Sequence, residues 1–136
     1  MIARLAFKEY ELLAEWERLN GTAKQLVHWS ARFVWPRVLD QEYVVVSAIW
    51  YPGRSRVHEV WRGVDLSARD AFSGELIKKK RAREAEAEIN RHWIYDPTRP
   101  KVKCCWYHKV IGGEWHFHIQ VHPRTVFLPD GQSVSV

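Results

Sequence analysis

Val102-Lys103-Cys104-Cys105-Trp106-Tyr107-His108-Lys109-Val110-Ile111-Gly112-Gly113-Glu114-Trp115-His116-Phe117-His118-Ile119-Gln120-Val121-His122 decides the fold. Two runs rich in β-branched and aromatic residues flank Ile111-Gly112-Gly113, the pattern of a hairpin whose strands cover residues 102–110 and 114–122. Side chains alternate across a strand. Glu114, His116, His118 and Gln120 are therefore expected on one face, and Trp115, Phe117, Ile119 and Val121 on the other. The second face is ordinary core. The first carries three titratable groups in register, costly beside a core unless they perform acid-base or metal work. A His-x-His on a wet sheet face is also what a plain polar edge looks like, so the hairpin alone leaves the chemistry open. Loop length sets the partner of His108: a three-residue loop places it across from His116, a two-residue loop across from Phe117.

Upstream, Tyr43-Val44-Val45-Val46-Ser47-Ala48-Ile49-Trp50 is β-branched and continuous, as a buried strand is, and Pro52-Gly53 ends it. Residues 54–60 form a loop that carries His58, and Arg62-Gly63-Val64-Asp65-Leu66 makes a short strand with Gly63 and Asp65 on one side. The N-terminal third reads as helical. Leu5, Leu12, Leu13, Trp16 and Leu19 form an apolar stripe ending at Asn20-Gly21, and a second periodic stretch runs from Thr22 to about Trp35, stopped by Pro36. Residues 73–92 read as a charged helix with Leu76, Ile77, Ala82, Ala85 and Ile89 inward, and its Lys78-Lys79-Lys80-Arg81 run as a solvated face. The fold class is α+β, a small antiparallel sheet flanked by helices.

The chain of 136 residues is long enough for one core and is read as a single domain over 1–136. Eight tryptophans suit a packed small domain with aromatic walls. Cys104 and Cys105 are adjacent, a poor geometry for pairing with each other, and have no Cys-x-x-Cys spacing, so cysteine is not the expected ligand. No apolar run reaches the length of a membrane span, and Arg4, Lys8 and Glu9 break the start before a signal-peptide core forms. The formal charge of +5 favours an anionic partner, whether nucleic acid or an acidic wall polymer.

A second stretch completes the hairpin's chemistry: Ser55-x-x-His58-x6-Asp65-Leu66-Ser67. Together the two offer a carboxylate and imidazoles, the donor set of catalytic zinc, which takes three protein ligands and leaves a fourth position open. A metal-dependent hydrolase is the reading to test. His28 and His92 fall in helical stretches and His122 precedes Pro123, so these three are read as surface or capping histidines.

These residues resemble a known family. Ser55-Arg56-Val57-His58-Glu59-Val60-Trp61-Arg62-Gly63-Val64-Asp65-Leu66-Ser67 is similar to the Ser-x-His-x-x-Gly-x-Ala-x-Asp-Ile signature of D-alanyl-D-alanine carboxypeptidases and phage L-alanyl-D-glutamate endopeptidases. The final hairpin resembles the His-x-His strand of lysostaphin and the penicillin-insensitive murein endopeptidases, in the same broader, hedgehog-like zinc group. The resemblance spans roughly residues 44–121. It implies zinc on His58, Asp65 and His118, with His116 as the acid-base group; Glu114, four residues before His118, is the alternative base from outside the family's pattern. It also implies a peptidoglycan peptide as substrate. The chain departs from the signature at Trp61, where the family has Gly, at Gly63, where it has Ala, and at Ser55, three residues before His58 instead of two. Trp115 stands where carboxypeptidase relatives carry their carboxylate base, and no Ser-Gly-Tyr-Arg ends the first strand, so Arg54, Arg56 or Arg62 would have to replace that arginine.

The implied protein is a phage lysis enzyme, synthesised in the cytoplasm and acting on the cell wall after release, with no nucleic acid partner and no membrane insertion. Two alternatives follow from the same residues. One is a catalytically silent virion or assembly protein of the same fold; the other is a basic nucleic-acid-binding module that stacks bases on Trp and Arg.

Overall fold

The computed structural model describes residues 1–51 and 56–132. Five strands form one sheet in the order β1-β2-β3-β6-β5: β1 is Arg4–Phe7, β2 Tyr43–Ala48, β3 Gly63–Ser67, β5 Cys105–His108 and β6 His116–Gln120. The α+β class holds, but the sheet is mixed. β1 runs parallel to β2, whereas the other three pairings are antiparallel. The apolar stripe expected to be helical from Leu5 therefore begins as a strand. Four residues are too few to distinguish period 2 from period 3.6, and pairing with Tyr43–Val46 satisfies their backbone groups.

Helices α1 (Leu12–Arg18) and α2 (Gly21–Phe33) follow β1. Asn20 caps α2, its side-chain oxygen accepting from the Thr22 and Ala23 N–H groups. A single helical turn, α3 (Arg56–Glu59), carries His58 where a loop was expected. The charged helix, α4, begins at Lys79 and ends at His92. Residues 70–74 instead fold around Asp70, whose side chain accepts from the Phe72 and Ser73 N–H groups; Leu76 is exposed and Ile77 buried. Such turn-forming Asp and Ser side chains compete with helix. Two short strands not anticipated from sequence, β4 (Trp93–Ile94) and β7 (Val126–Phe127), pair beyond α4. Among the described residues no helix is long and apolar enough to cross a membrane.

The hairpin alternates as expected, with shorter strands than the sequence suggested. Phe117, Ile119 and Val121 are fully buried with Val64 and Leu66 of β3, Cys105 and Tyr107 of β5, and Leu26, Val27, Ala82, Ala85 and Ile89 of the long helices. Trp35 meets Phe117 edge-on at 5.1 Å. His108 pairs with His116, the register of a three-residue loop, and Gly112 takes the left-handed conformation (φ 77°) that the tight turn requires. Both cysteines are unpaired and buried, and burial pushes the Cys104 thiol up to about 12. Neither cysteine belongs to the group formed by His58, Asp65 and His118.

Candidate metal centre

β3 and β6 set the site. In their antiparallel register Asp65 lies directly across from His118 and Ser67 across from His116, so the polar face anticipated for the hairpin continues onto the neighbouring strand. A bulge on β2 at Ser47 and Ala48 opposes Asp65, and the Ser47 hydroxyl donates to the Asp65 carbonyl at 3.1 Å. His58 arrives from α3 over Gly63. A Cβ at Gly63 would stand 2.8 Å from Val57 Cγ2, 3.2 Å from His58 N and 3.3 Å from His58 Cε1, so glycine is what allows the imidazole to approach the strand.

Three donor atoms converge. His58 Nε2, Asp65 Oδ1 and His118 Nδ1 are mutually separated by 3.2 Å (His58 to His118), 3.3 Å (His58 to Asp65) and 3.0 Å (His118 to Asp65). Ligands about 2.0–2.1 Å from a tetrahedral zinc lie roughly 3.3 Å apart, so the triangle has the dimensions of three corners of such a site. His58 is wholly buried, and Asp65 and His118 nearly so. This buried group can hold a metal ion.

Their surroundings decide which ring nitrogens are free. His58 Nδ1 lies 2.6 Å from the Ile49 carbonyl, an obligate acceptor, so Nδ1 carries the proton and Nε2 presents its lone pair to the triangle. The Gln120 amide nitrogen donates to the Lys103 carbonyl at 2.8 Å, which turns Oε1 toward His118 Nε2 at 3.1 Å. That bond puts the His118 proton on Nε2 and leaves Nδ1 facing inward. Two unprotonated nitrogens and a carboxylate oxygen at this spacing repel one another unless positive charge, a metal ion or an added proton, lies between them. Burial pushes the Asp65 carboxyl up, but once the imidazoles carry an added proton their hydrogen bonds and charge outweigh it and hold it well below the usual carboxylate range.

Tyr51 completes the wall. Its ring stacks on His58 at 4.1 Å and its hydroxyl donates to Asp65 Oδ2 at 3.4 Å, orienting Oδ1 toward the histidines. Burial and the Asp65 charge push the phenol above its ordinary value, so it remains a donor. Nothing in the spacing of Tyr51 marked it in the sequence; Gln120 was placed on this face by alternation but carried no role.

The remaining expected residues divide. His116 Nε2 lies 3.9 Å from Asp65 Oδ2, and its Nδ1 donates to the Glu114 carbonyl at 2.9 Å, so its unprotonated nitrogen faces the centre. The Glu114 side chain is half exposed and accepts from Arg69 Nε at 3.0 Å. His108 packs 4.7 Å from the His116 ring, and burial and the two histidines lower its pKa, so it is neutral at neutral pH. Ser55 and Arg54 fall outside the described residues. His92, expected at the surface, is buried: its Nδ1 donates to the Leu128 carbonyl at 2.8 Å and its ring packs on Trp29. The end of α4 is covered by the C-terminal segment, a tertiary contact that helical periodicity does not reveal. His28 is exposed, and His122 accepts from the Arg124 N–H, a local capping contact.

No family model, no curated protein and no solved structure matches the chain.

Proposed function

We propose that the protein is a zinc-dependent metallopeptidase that hydrolyses peptide bonds of peptidoglycan. The observation that carries this reading is the triangle of His58 Nε2, Asp65 Oδ1 and His118 Nδ1, whose tautomers are set by the Ile49 carbonyl and Gln120 so that three electron pairs point at one place. Zinc bound there supplies Lewis-acid polarisation of a carbonyl and a source of hydroxide near neutral pH.

The chain's own groups supply the rest. His116, with its proton on Nδ1 and Nε2 toward Asp65, takes a proton at Nε2 and returns it to the leaving amine. Glu114, committed to Arg69 on the exposed rim, is the lesser candidate for that task. Tyr51 holds Asp65 and covers His58 with its ring face, which limits water there. The choice of peptidoglycan rests on the resemblance of residues 44–121 to wall-peptide zinc peptidases, and the basic charge suits an anionic wall. A phage lysis role, with synthesis in the cytoplasm and action after release, belongs to the same proposal.

Incubation with purified peptidoglycan tests it. Peptide fragments should appear, cease with a chelator, and return with added zinc. Unchanged wall material with a zinc-loaded sample contradicts the peptidase and leaves the catalytically silent relative, and salt-sensitive oligonucleotide binding without any metal requirement supports the nucleic-acid module instead.

A further inference from the structure

We propose that Trp50 and Trp61 form a binding platform for one pyranose ring of a glycan chain, beside the metal centre. The two indoles lie at 26° to each other with centroids 6.3 Å apart, and Arg18 Cζ sits 4.3 Å over the Trp61 ring. Glu15, Arg18, Trp50 and Trp61 line a cleft of about 280 Å³. Ligand pockets span roughly 300–1,000 Å³, so this one suits a single ring and not a larger molecule. Trp50 is 44% exposed, an expensive place for an indole that only packs.

The backbone is shaped to keep these rings there. Trp61 has φ 60°, the left-handed region that bulky side chains avoid, and is held in it by bonds from its N–H to the His58 carbonyl (3.3 Å) and from Asn20 N to its own carbonyl (2.8 Å). The Trp50 N–H donates to Glu15 Oε1 at 3.0 Å. Both tryptophans therefore hang from segments that also build the metal site. Ile49 and Tyr51, on either side of Trp50, are the residues that hold His58.

The polar rim selects the ligand. Arg18 lines the cleft with its guanidinium over the Trp61 ring, and Glu15 uses one carboxylate oxygen on the Trp50 N–H. A sugar offers C–H groups on its ring face, attracted to the electron-rich indole face, and hydroxyls at its edge that can donate to Glu15 and accept from Arg18. A nucleotide also stacks, but its phosphate would meet the Glu15 carboxylate as well as the Arg18 guanidinium, whereas neutral hydroxyls suit both groups. The metallopeptidase reading names the source of the glycan, the sugar strand of the wall polymer; the platform itself needs neither metal nor turnover.

The probe is a soluble tetramer of N-acetylglucosamine, which has no wall peptide to cleave, titrated into the full chain while tryptophan fluorescence and binding heat are followed. Saturable binding is expected, with Trp50→Ala weakening it about tenfold or more, on the scale that loss of one aromatic stacking face costs. Trp50→Phe should retain most of the affinity, and Glu15→Gln should weaken it less than Trp50→Ala. Absence of saturable binding at millimolar sugar, or binding that Trp50→Ala leaves unchanged, overturns the proposal. So does oligothymidylate that binds and depends on Trp50 while the sugar does not. Loss of peptidoglycan hydrolysis with sugar binding intact would refute the peptidase and leave the platform standing.

Discussion

Phe117 and His118 are neighbours on β6 and serve opposite faces of one sheet. Phe117 is wholly buried against Trp35 and Tyr107, in a core where apolar groups of the right volume satisfy every requirement. His118 is nearly as buried, yet it faces a histidine nitrogen at 3.2 Å and a carboxylate oxygen at 3.0 Å with its lone pair inward. The first face lowers the energy of the fold in any conditions; the second does so only when positive charge is supplied. An arrangement that stabilises so little by itself is the mark of a site.

The largest effect is expected at the rim of the polar face. His116→Ala should keep the metal and lose roughly a hundredfold to ten-thousandfold in peptidoglycan turnover, the range of general acid-base groups, and Glu114→Gln should cost much less. The reverse order would make the carboxylate the base. Loss of metal in His116→Ala would make this histidine a ligand.

On the apolar face, Phe117→Ala should destabilise the metal-free protein by about 3–5 kcal/mol in denaturant unfolding, the usual cost of emptying a packed aromatic site. His118→Ala should cost the metal-free protein clearly less, because removing an inward lone pair relieves repulsion as packing is lost. Equal losses would mean that the polar face is ordinary core.

The contrast sharpens at the residues that orient the ligands. Gln120→Ala should preserve the fold and weaken zinc binding by roughly tenfold to a hundredfold, since His118 would lose the acceptor that fixes its tautomer. A calorimetric zinc titration reads this directly, and an unchanged affinity would remove Gln120 from the site.

The two faces were not equally legible. Strict alternation over residues 114–121 separated Phe117 from His118 before any contact was known, and the loop-length rule left His108 two registers, of which the structure shows the pairing with His116. The convergence of His58 with β3 and β6 was anticipated from the donor set that the two stretches offer together, and the choice of His58, Asp65 and His118 as ligands through a resemblance. No local pattern states that residue 58 lies 3.2 Å from residue 118, a contact that depends on the sheet order and on Gly63 admitting the ring. Tyr51 and the Ile49 carbonyl were invisible for the same reason. The first strand was missed because Arg4–Phe7 earns its conformation from pairing with β2, not from its own four residues.

The most direct test is zinc content measured on purified wild type and on His58→Ala, Asp65→Ala and His118→Ala, with thermal unfolding followed before and after zinc addition. One zinc per wild-type chain, raising the unfolding temperature, with marked loss of content and of the thermal shift in each variant, is the predicted result. Full zinc occupancy in His118→Ala, or a wild type that takes up no zinc, would contradict it.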